Sequence, residues 1–453
     1  MSFLKSYNNF FQKYFPNPFT IAIALSFISF LLAFFFTQSG ELRLAYVADL
    51  ADYWYAGLFK ASLLEFTMHM MLILVLGHIL ALSKPIKALI ANLLQYCTST
   101  KSALVFVSLF SLFLSLFNWG FGLVFSAIFV KEIGAKFQRE NKKINYPILA
   151  AAAYAGMMVW HGGLSGSASL SVASTTHSFV EQIGVISVQE TLFSSMNIFT
   201  SLLLVLALPL FLVFIASRLG TEAVPSISTN AKMENLEEST SPIETFESKT
   251  FLGRILGFAF LGYFILLAYR KLNVGSSFLE ILNLQSINLL LLGLSLLFHG
   301  SFKSFLLAVE EAIGDVSGIL IQFPLYFGIM GLIQSSGMAL LIADGFSQIS
   351  NSYTLPIYTF LSAALLNIFI PSGGGQWQVQ APIIIESAKA SAVALPKLIM
   401  AMSYGDQLTN MLQPFWALPL LSICQLKAKD ILPYCLFIFA LGAGIFLLSL
   451  VIF

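Results

Sequence analysis

Asn118-Trp119-Gly120-Phe121-Gly122 and Pro371-Ser372-Gly373-Gly374-Gly375-Gln376 each interrupt a long apolar stretch of this 453-residue chain. The two interruptions fall in opposite halves of the sequence, and Asn367 stands just before the second one. Backbone that leaves the helical conformation at membrane depth is tolerated only where it is buried in protein or lines a cavity. Interrupted apolar segments at corresponding positions of two halves are typical of the binding site of a secondary transporter.

The composition indicates a membrane protein. Hydrophobic residues make up 58% of the sequence and charged residues 10%, whereas an ordinary soluble domain has about 25% charged residues. About 20 apolar residues are needed to cross the roughly 30 Å hydrocarbon core of a bilayer. Runs that meet or approach this length lie near 19–37, 61–82, 147–170, 191–217, 251–268, 287–299, 316–334, 397–424 and 431–453. The sequence therefore predicts an all-α polytopic membrane protein.

Other features of the composition exclude several classes of protein. The three cysteines, Cys97, Cys424 and Cys435, are odd in number and lack CxxC spacing, so they predict neither a disulfide framework nor a metal site. The net charge of +1 gives no basis for nucleic-acid binding. No GxxxxGK[ST] nucleotide-binding motif is present, which argues against transport driven by ATP hydrolysis within this chain. We expect no cofactor beyond a coupling ion, Na⁺ or H⁺.

The distribution of Lys and Arg predicts the topology, because basic residues near helix ends mark the cytoplasmic side. The run 19–37 follows a basic start and is too long for the apolar core of a signal peptide, so we predict an uncleaved first helix with a cytoplasmic N-terminus. Segments 84–101 and 131–143 carry three and five basic residues. Both are predicted to be cytoplasmic, so the run 103–130 between them must enter and leave on one side.

This run is predicted to form a re-entrant hairpin whose arms of about 8 to 15 residues reach the bilayer interior without crossing it. The count of Lys and Arg residues also predicts a second hairpin, at about 354–385, which enters and leaves from the outer side. The two halves then read as an inverted structural repeat with two re-entrant helical hairpins and two broken transmembrane helices. Four basic residues, Arg270, Lys271, Lys389 and Lys397, fall on the outer side against this assignment.

The repeat sets the domain boundaries. Residues 1–217 form the first membrane repeat and residues 287–453 the second, inverted one. Residues 218–250 are rich in Glu, Ser, Thr and Pro and are predicted to be a hydrophilic cytoplasmic linker. Residues 251–286 are the connecting helix and loop.

A broken helix is predicted after each hairpin, at 160–167 and at 404–414. Glycines let backbone amides approach a ligand, and a helix that starts after such a loop directs free N–H groups toward it, which suits a carboxylate. Gly-rich stretches also allow close helix packing, and that alternative stays open for 160–167. We expect substrate contacts from Asn118, Trp119, Gly120, Gly122, His161, Gly163, Ser165, Asn367, Ser372, Gly373, Gly374, Gly375, Gln376 and Trp377.

Ion coupling is expected at the second broken helix. Asp406 stands in an otherwise apolar segment, where an acid costs roughly 2.5–3.5 kcal/mol on insertion scales, so it is a functional candidate by default. His161 is either a proton carrier or a satisfied polar contact. The residues expected to take part in ion coupling are Asp406, Gln407, Thr409, Asn410 and Ser167. If the ion is Na⁺, unwound backbone carbonyls could hold it in an all-oxygen site together with Ser165, Ser167, Thr409 and Asn410.

The motifs around the breaks resemble those of the bacterial short-chain fatty acid transporter family. They comprise residues 118–124, Pro371 to Gly375, Tyr404 to Gln407 and Gln413 to Pro419, and the similarity extends over nearly the full length. The resemblance implies uptake of short-chain monocarboxylates, such as acetoacetate or butyrate, across the bacterial inner membrane. It also implies membership of a superfamily of ion-coupled carriers with elevator-type movement, and a homodimer.

Two other functions compete with this interpretation. A dicarboxylate or amino-acid carrier would have the same architecture, but a second carboxylate usually requires a cation, and no Arg or Lys stands near either break. An intramembrane hydrolase could use His161 and Asp406 with Ser165 or Ser372. Neither an HExxH nor a GxSxG motif is present, so we expect no enzyme.

Overall fold

Helices form all the regular elements of the described chain. The computed structural model describes residues 16–37, 43–175, 177–219, 242–273, 284–391 and 393–453, together with Phe10, Lys13, Tyr14 and Ile281. Most of the predicted linker at 218–250 lies outside these residues. The helices run over Pro18–Phe36, Arg43–Leu58, Ala61–Leu82, Lys84–Leu94, Thr100–Phe117, Trp119–Arg139, Tyr146–Tyr154, Ser167–Val172, Val180–Ile183, Ser195–Arg218, Pro242–Glu247, Thr250–Asn273, Leu284–His299, Phe302–Ala312, Ser317–Ser335, Met338–Gln348, Leu355–Asn367, Gly373–Ser391, Leu395–Thr409, Leu418–Cys424 and Ala428–Ile452.

The prediction of a polytopic membrane protein is confirmed. Seven helical segments among the described residues are long and apolar enough to cross a bilayer. Their outward side chains are large and apolar, as at Leu210, which is 69% exposed, and Ile265, which is 66% exposed. Such faces need hydrocarbon rather than water around them.

Arg43–Leu58 is the longest of the described helices that were not predicted. Arg43–Leu58 contains two acidic residues, Asp49 and Asp52, which break the apolar run on which the prediction relied. It packs closely on Ser317–Ser335, where an added Cβ at Gly331 would lie 2.7 Å from the Cα of Gly57. Small residues allow two helix backbones to approach in this way.

The first hairpin consists of Thr100–Phe117 and Trp119–Arg139, which are joined by Asn118 alone. Asn118 has extended backbone angles, and its side-chain oxygen accepts a hydrogen bond from the Phe121 amide at 3.0 Å. This is an N-cap, which stabilises the start of the second arm. The prediction that the backbone is irregular from Asn118 to Gly122 was therefore wrong, because Trp119 already begins a helix.

The arms of the first hairpin are longer than predicted. They hold 18 and 21 residues, or about 27 and 31 Å of helix, and Thr100–Phe117 is one of the seven segments long enough to span. The expected length of about 8 to 15 residues was wrong. The re-entrant path therefore stays a prediction that depends on the Lys and Arg count.

The second hairpin consists of Leu355–Asn367 and Gly373–Ser391, joined by residues 368–372. Gln376 Nε2 donates to the Ala363 carbonyl at 2.8 Å, and Gln380 Nε2 donates to Ser362 Oγ at 3.1 Å. These bonds link the two arms. The three glycines were expected to be unwound, but they form the first turn of the second arm, where Ser372 Oγ accepts from the Gly375 amide at 3.3 Å.

A broken helix follows each hairpin. The first comprises Tyr146–Tyr154 with a 3-10 turn at Ala155–Met158, then a non-helical stretch, then Ser167–Val172. The second comprises Leu395–Thr409 and Leu418–Cys424, so its break covers residues 410–417. The predicted break began at Tyr404, which was six residues too early, since Tyr404 to Thr409 are helical. The inverted orientation of the two halves stays a prediction.

Candidate functional site

The tip of the first hairpin packs on the break of the first broken helix. Trp119 N donates to Ser165 Oγ at 3.2 Å, and Leu164 N donates to the Leu116 carbonyl at 2.6 Å. An added Cβ at Gly163 would lie 2.6 Å from the same carbonyl oxygen, so only glycine fits at that position. Thus the predicted residues Trp119, Gly163 and Ser165 are neighbours.

The tip of the second hairpin reaches the same break. An added Cβ at Gly373 would lie 2.5 Å from His161 Cε1 and 2.9 Å from the ring of Trp160. An added Cβ at Gly374 would lie 3.6 Å from Ser167 Cβ. The helix Gly373–Ser391 therefore begins directly beside the His161 ring.

Asn367 joins the second hairpin to the second broken helix. Its Nδ2 lies 2.7 Å from the Asp406 carbonyl oxygen, 3.0 Å from Thr409 Oγ1 and 2.9 Å from Asn410 Oδ1. Gln413 Nε2 donates to the Asn367 carbonyl at 3.3 Å and to Asn410 Oδ1 at 3.2 Å. This network fixes the end of Leu395–Thr409 against the hairpin tip.

His161 and Asp406 form a buried pair at the centre of the four segments. Nδ1 of His161 lies 2.6 Å from Oδ2 of Asp406, and the two side chains are 0% and 1% exposed. Nε2 of His161 lies 3.1 Å from the amide nitrogen of Ala168 and therefore accepts its hydrogen. A nitrogen that accepts an amide hydrogen carries no proton, so the proton of the neutral ring is on Nδ1, where it is donated to Asp406.

Gln407 links the two broken helices a second time. Its Oε1 accepts from the amides of His161 at 3.0 Å and Gly162 at 3.3 Å. The backbone at the first break is thus held by a side chain from the second broken helix. Sequence reasoning assigned Gln407 to the coupling ion, and the structure shows its oxygen engaged with these amides.

Aromatic side chains cover one flank of the pair. The Trp160 ring stacks on His161 at 4.5 Å between centroids, Trp119 lies 6.0 Å from Trp160, and Trp416 lies 4.7 Å from Trp119. Trp377 is separate from this cluster and packs against Phe179 at 6.1 Å. Of the two tryptophans expected to contact the substrate, Trp119 belongs to the aromatic cluster beside His161 and Trp377 does not.

Three predicted residues near the first tip have structural contacts of their own. Asn118 uses its side-chain oxygen as the helix cap. Gly120 faces Ile73, whose side-chain carbons would lie 3.8 and 3.9 Å from an added Cβ. Gly122 faces Ser115 of the other arm, whose amide nitrogen would be 2.7 Å away.

Sequence reasoning missed two residues that support the site. Asn197 Nδ2 donates to the Gly162 carbonyl at 2.8 Å and to the Leu192 carbonyl at 2.7 Å. The Tyr404 hydroxyl donates to Asn197 Oδ1 at 3.1 Å and lies 3.3 Å from Thr200 Oγ1. The available signal was a lone Asn in the apolar helix Ser195–Arg218.

Several buried polar atoms of the site have no hydrogen-bond partner in the described part of the chain. They are Asn367 Oδ1, Gln376 Oε1, Asp406 Oδ1, Asn410 Nδ2 and Gln413 Oε1. Unpaired buried polar groups are costly, so these atoms are candidates for contacts with a polar ligand or ion. A cavity of about 510 Å³ lies elsewhere in the protein, bordered by Asn17, Gln322 and Lys427, and none of these five residues lines it.

The fold and the site define a multi-pass membrane transporter whose irregular segments meet around one buried acid. The model of the short chain fatty acid transporter family matches residues 3–453. The chain belongs to this family of transporters, which confirms the resemblance drawn from the motifs.

Two relatives support the same assignment. A protein of Escherichia coli (strain K12) is 33% identical over 454 residues, which cover 98% of this chain and 98% of that protein. A protein of Haemophilus influenzae (strain ATCC 51907 / DSM 11121 / KW20 / Rd) is 34% identical over 452 residues, or 97% of each chain. Both carry the name of a short-chain fatty acid transporter as a provisional assignment.

Two solved structures are distantly similar. The YdaH transporter of Alcanivorax borkumensis has a TM-score of 0.45 and 16% identity, with 96% of this chain and 98% of that chain covered. MtrF of Neisseria gonorrhoeae, described with a class of antimetabolite efflux pumps, has a TM-score of 0.44 and 16% identity, with 98% and 97% covered. Similarity at this level does not transfer topology or substrate.

Proposed function

We propose that this chain is a secondary active transporter that takes up short-chain monocarboxylates, such as acetoacetate or butyrate, across the bacterial inner membrane, driven by a gradient of H⁺ or Na⁺. One observation carries the proposal. The tip of the second hairpin and both broken helices meet at His161 and Asp406, and the tip of the first hairpin packs on the first break at Ser165. Several buried polar atoms there have no partner among the described residues. The family and the names of the two relatives favour the same substrate class.

The substrate carboxylate is proposed to bind at the start of Gly373–Ser391. The first amide groups of a helix have no partner within it and favour an anion. An added Cβ at Gly373 would lie 2.5 Å from His161 Cε1, so these amides are close to the pair. The short alkyl chain would rest on the aromatic cluster of Trp119, Trp160 and Trp416.

The charge of the site favours one carboxylate over two. Among the described residues, the only basic group within ion-pair distance of Asp406 is His161. Since a second substrate carboxylate would need its own cation or amide cluster, a monocarboxylate fits better than a dicarboxylate. Alternating access by an elevator-type movement of the two hairpins and broken helices completes the proposal.

The test is uptake of radiolabelled butyrate and acetoacetate into proteoliposomes that contain the full chain. Na⁺ and pH gradients are imposed separately, and protein-free vesicles are the control. We expect concentrative uptake under at least one gradient. Uptake that is saturated by succinate and indifferent to butyrate would instead establish a dicarboxylate carrier. Conversion of substrate by the purified protein without vesicles would establish an enzyme.

A further inference from the structure

We propose that the coupling ion is a proton, that it binds to Oδ1 of Asp406, and that His161 is a positioning residue that does not carry it. This inference rests on the proposed function, because it concerns how the same site is driven. Oδ2 of Asp406 already accepts from His161 at 2.6 Å, whereas Oδ1 is buried and has no hydrogen-bond partner among the described residues. One carboxylate oxygen is therefore free to take a proton.

His161 is in a poor position to take the proton itself. Its Nδ1 hydrogen is donated to Asp406, and its Nε2 accepts from the Ala168 amide at 3.1 Å. A second proton on the ring would place two hydrogens between Nε2 and that amide. The bond to Ala168, at the start of Ser167–Val172, would have to break first.

Two of the side-chain oxygens expected at the ion site are already engaged in hydrogen bonds. Na⁺ would need several oxygen ligands around it, whereas a proton needs one. Gln407 Oε1 accepts from the His161 and Gly162 amides. Asn410 Oδ1 accepts from the Asn367 and Gln413 amide groups. The side-chain oxygens of these two residues, which were expected to take part in ion coupling, therefore already accept hydrogen bonds.

The charge of the pair explains why proton and substrate would bind together. With a neutral ring, the His161–Asp406 pair has a net charge of −1. This charge repels the carboxylate of the substrate inside a low-dielectric site. A proton from bulk water on the outer side forms one O–H bond at Asp406 Oδ1 and makes the pair neutral. The substrate carboxylate can then bind beside it, and one proton and one monocarboxylate cross together without net charge transfer.

No other described charged side chain competes for this role. Of the described basic side chains, only His161 has a nitrogen within 4.0 Å of the Asp406 carboxylate. Two tyrosines face the site, and both have partners: Tyr404 bonds to Asn197, and Tyr154 donates to the Asn410 carbonyl at 2.8 Å. The remaining titratable or charged side chains on the helices packed against the pair are Lys101, Lys131, Glu132, Lys136, Arg139, Tyr146, Arg218, Tyr358, Glu386, Lys389, Lys397, Lys429, Asp430, Tyr434 and Cys435.

The experiment uses proteoliposomes of the full chain that contain a pH-sensitive dye and take up radiolabelled butyrate. The wild type should admit about one proton per butyrate, and an imposed Na⁺ gradient should have no effect. Asp406→Asn imitates the protonated acid, because it is neutral at this position. In this variant, the stimulation of butyrate uptake by a pH gradient should fall at least about tenfold. Its exchange of labelled for unlabelled butyrate should no longer vary with pH.

Two further variants separate the roles. His161→Gln should shift the pH profile of exchange while the ratio stays at about one proton per butyrate, as a positioning residue requires. Glu386→Gln, which changes an exposed acid on the second hairpin, is the matched control and should behave as the wild type. Loss of proton entry in His161→Gln with retained butyrate exchange would assign the proton to the imidazole and overturn the proposal.

Failure of this inference is distinguishable from failure of the proposed function. Butyrate uptake that follows the Na⁺ gradient and carries no proton would overturn the proton assignment and leave the carrier intact. An Asp406→Asn variant that still responds to a pH gradient would do the same. No uptake of butyrate or acetoacetate by folded protein under either gradient would overturn the function itself.

Discussion

Gly405 in the second broken helix packs directly against the carbonyl oxygen of Phe360 in the second hairpin, with no room for a side chain between them. An added Cβ at position 405 would also lie 2.8 Å from the Cβ of Ala363. The first neighbour is backbone and cannot rotate away. The contact therefore fixes the separation of the two helices one residue before Asp406.

Gly405→Ala should push these two helices apart. We expect a loss of about 1–3 kcal/mol in the free energy of unfolding, as for other overpacked cores, and reduced butyrate uptake. The measurement is thermal unfolding in detergent. Gly444→Ala is the control, because no atom lies within 4 Å of an added Cβ there; it should unfold at or above the wild-type temperature. Equal unfolding temperatures of the two variants would refute the packing argument.

Asn118→Ala should remove the cap of the second arm of the first hairpin. The Asn118 oxygen accepts from the Phe121 amide at 3.0 Å, and loss of such a cap costs about 1 kcal/mol. Asn118→Ser keeps an N-cap oxygen and should restore the unfolding temperature. If the Ser variant were stable and had lost butyrate uptake, Asn118 would contact the substrate, as expected from the sequence.

Asn197→Ala should destabilise the break of the first broken helix, because Asn197 lies in the neighbouring helix Ser195–Arg218 and bonds to the Gly162 carbonyl. The Gly162 and Leu192 carbonyls would lose the donor Nδ2, and the Tyr404 hydroxyl would lose an acceptor. Buried groups left unpaired cost about 1–3 kcal/mol. Thr200→Val removes the longer contact to Tyr404 at 3.3 Å and a bond within its own helix to the Met196 carbonyl at 2.7 Å. It leaves the Asn197 bonds in place and should have a smaller effect on unfolding. A larger effect of Thr200→Val would contradict this account of the network.

Cysteine labelling tests the re-entrant path of the first hairpin. Lys101→Cys and Lys143→Cys flank the hairpin at exposed positions and should react from the same side of the membrane. Gln189→Cys lies in a segment predicted to be external and should react from the other side. Reaction of the two flanking positions from opposite sides would show that the hairpin crosses the membrane an odd number of times.

The native cysteines should give little background in this labelling. Cys97, Cys424 and Cys435 are all buried. Burial raises the pKa of the Cys97 thiol to about 11, despite the opposing effect of Lys136. At pH 8, about one Cys97 in a thousand would then be the reactive thiolate. Strong labelling of the protein without added cysteines would contradict the burial of these residues.

The sequence by itself determined the class of protein and, to within a few residues, the regions where its helices are interrupted. Long apolar runs with few charges allow only membrane-spanning helices, since the backbone must satisfy its own hydrogen bonds in lipid. Gly373 to Gly375 and the motif around Asp406 indicated the second half of the candidate site. These are local properties of composition, and they can be read without knowing what any residue contacts.

Only the tertiary structure decided which of these residues act on one another. His161 and Asp406 are 245 residues apart in the sequence, and no local pattern joins them. Asn197 and Tyr404 were missed for the same reason. Whether a Gly-rich stretch is a loop or the first turn of a helix also depended on tertiary contacts: Asn118 and Ser372 supply cap oxygens, and the partner arm provides the packing that a short helix needs for stability.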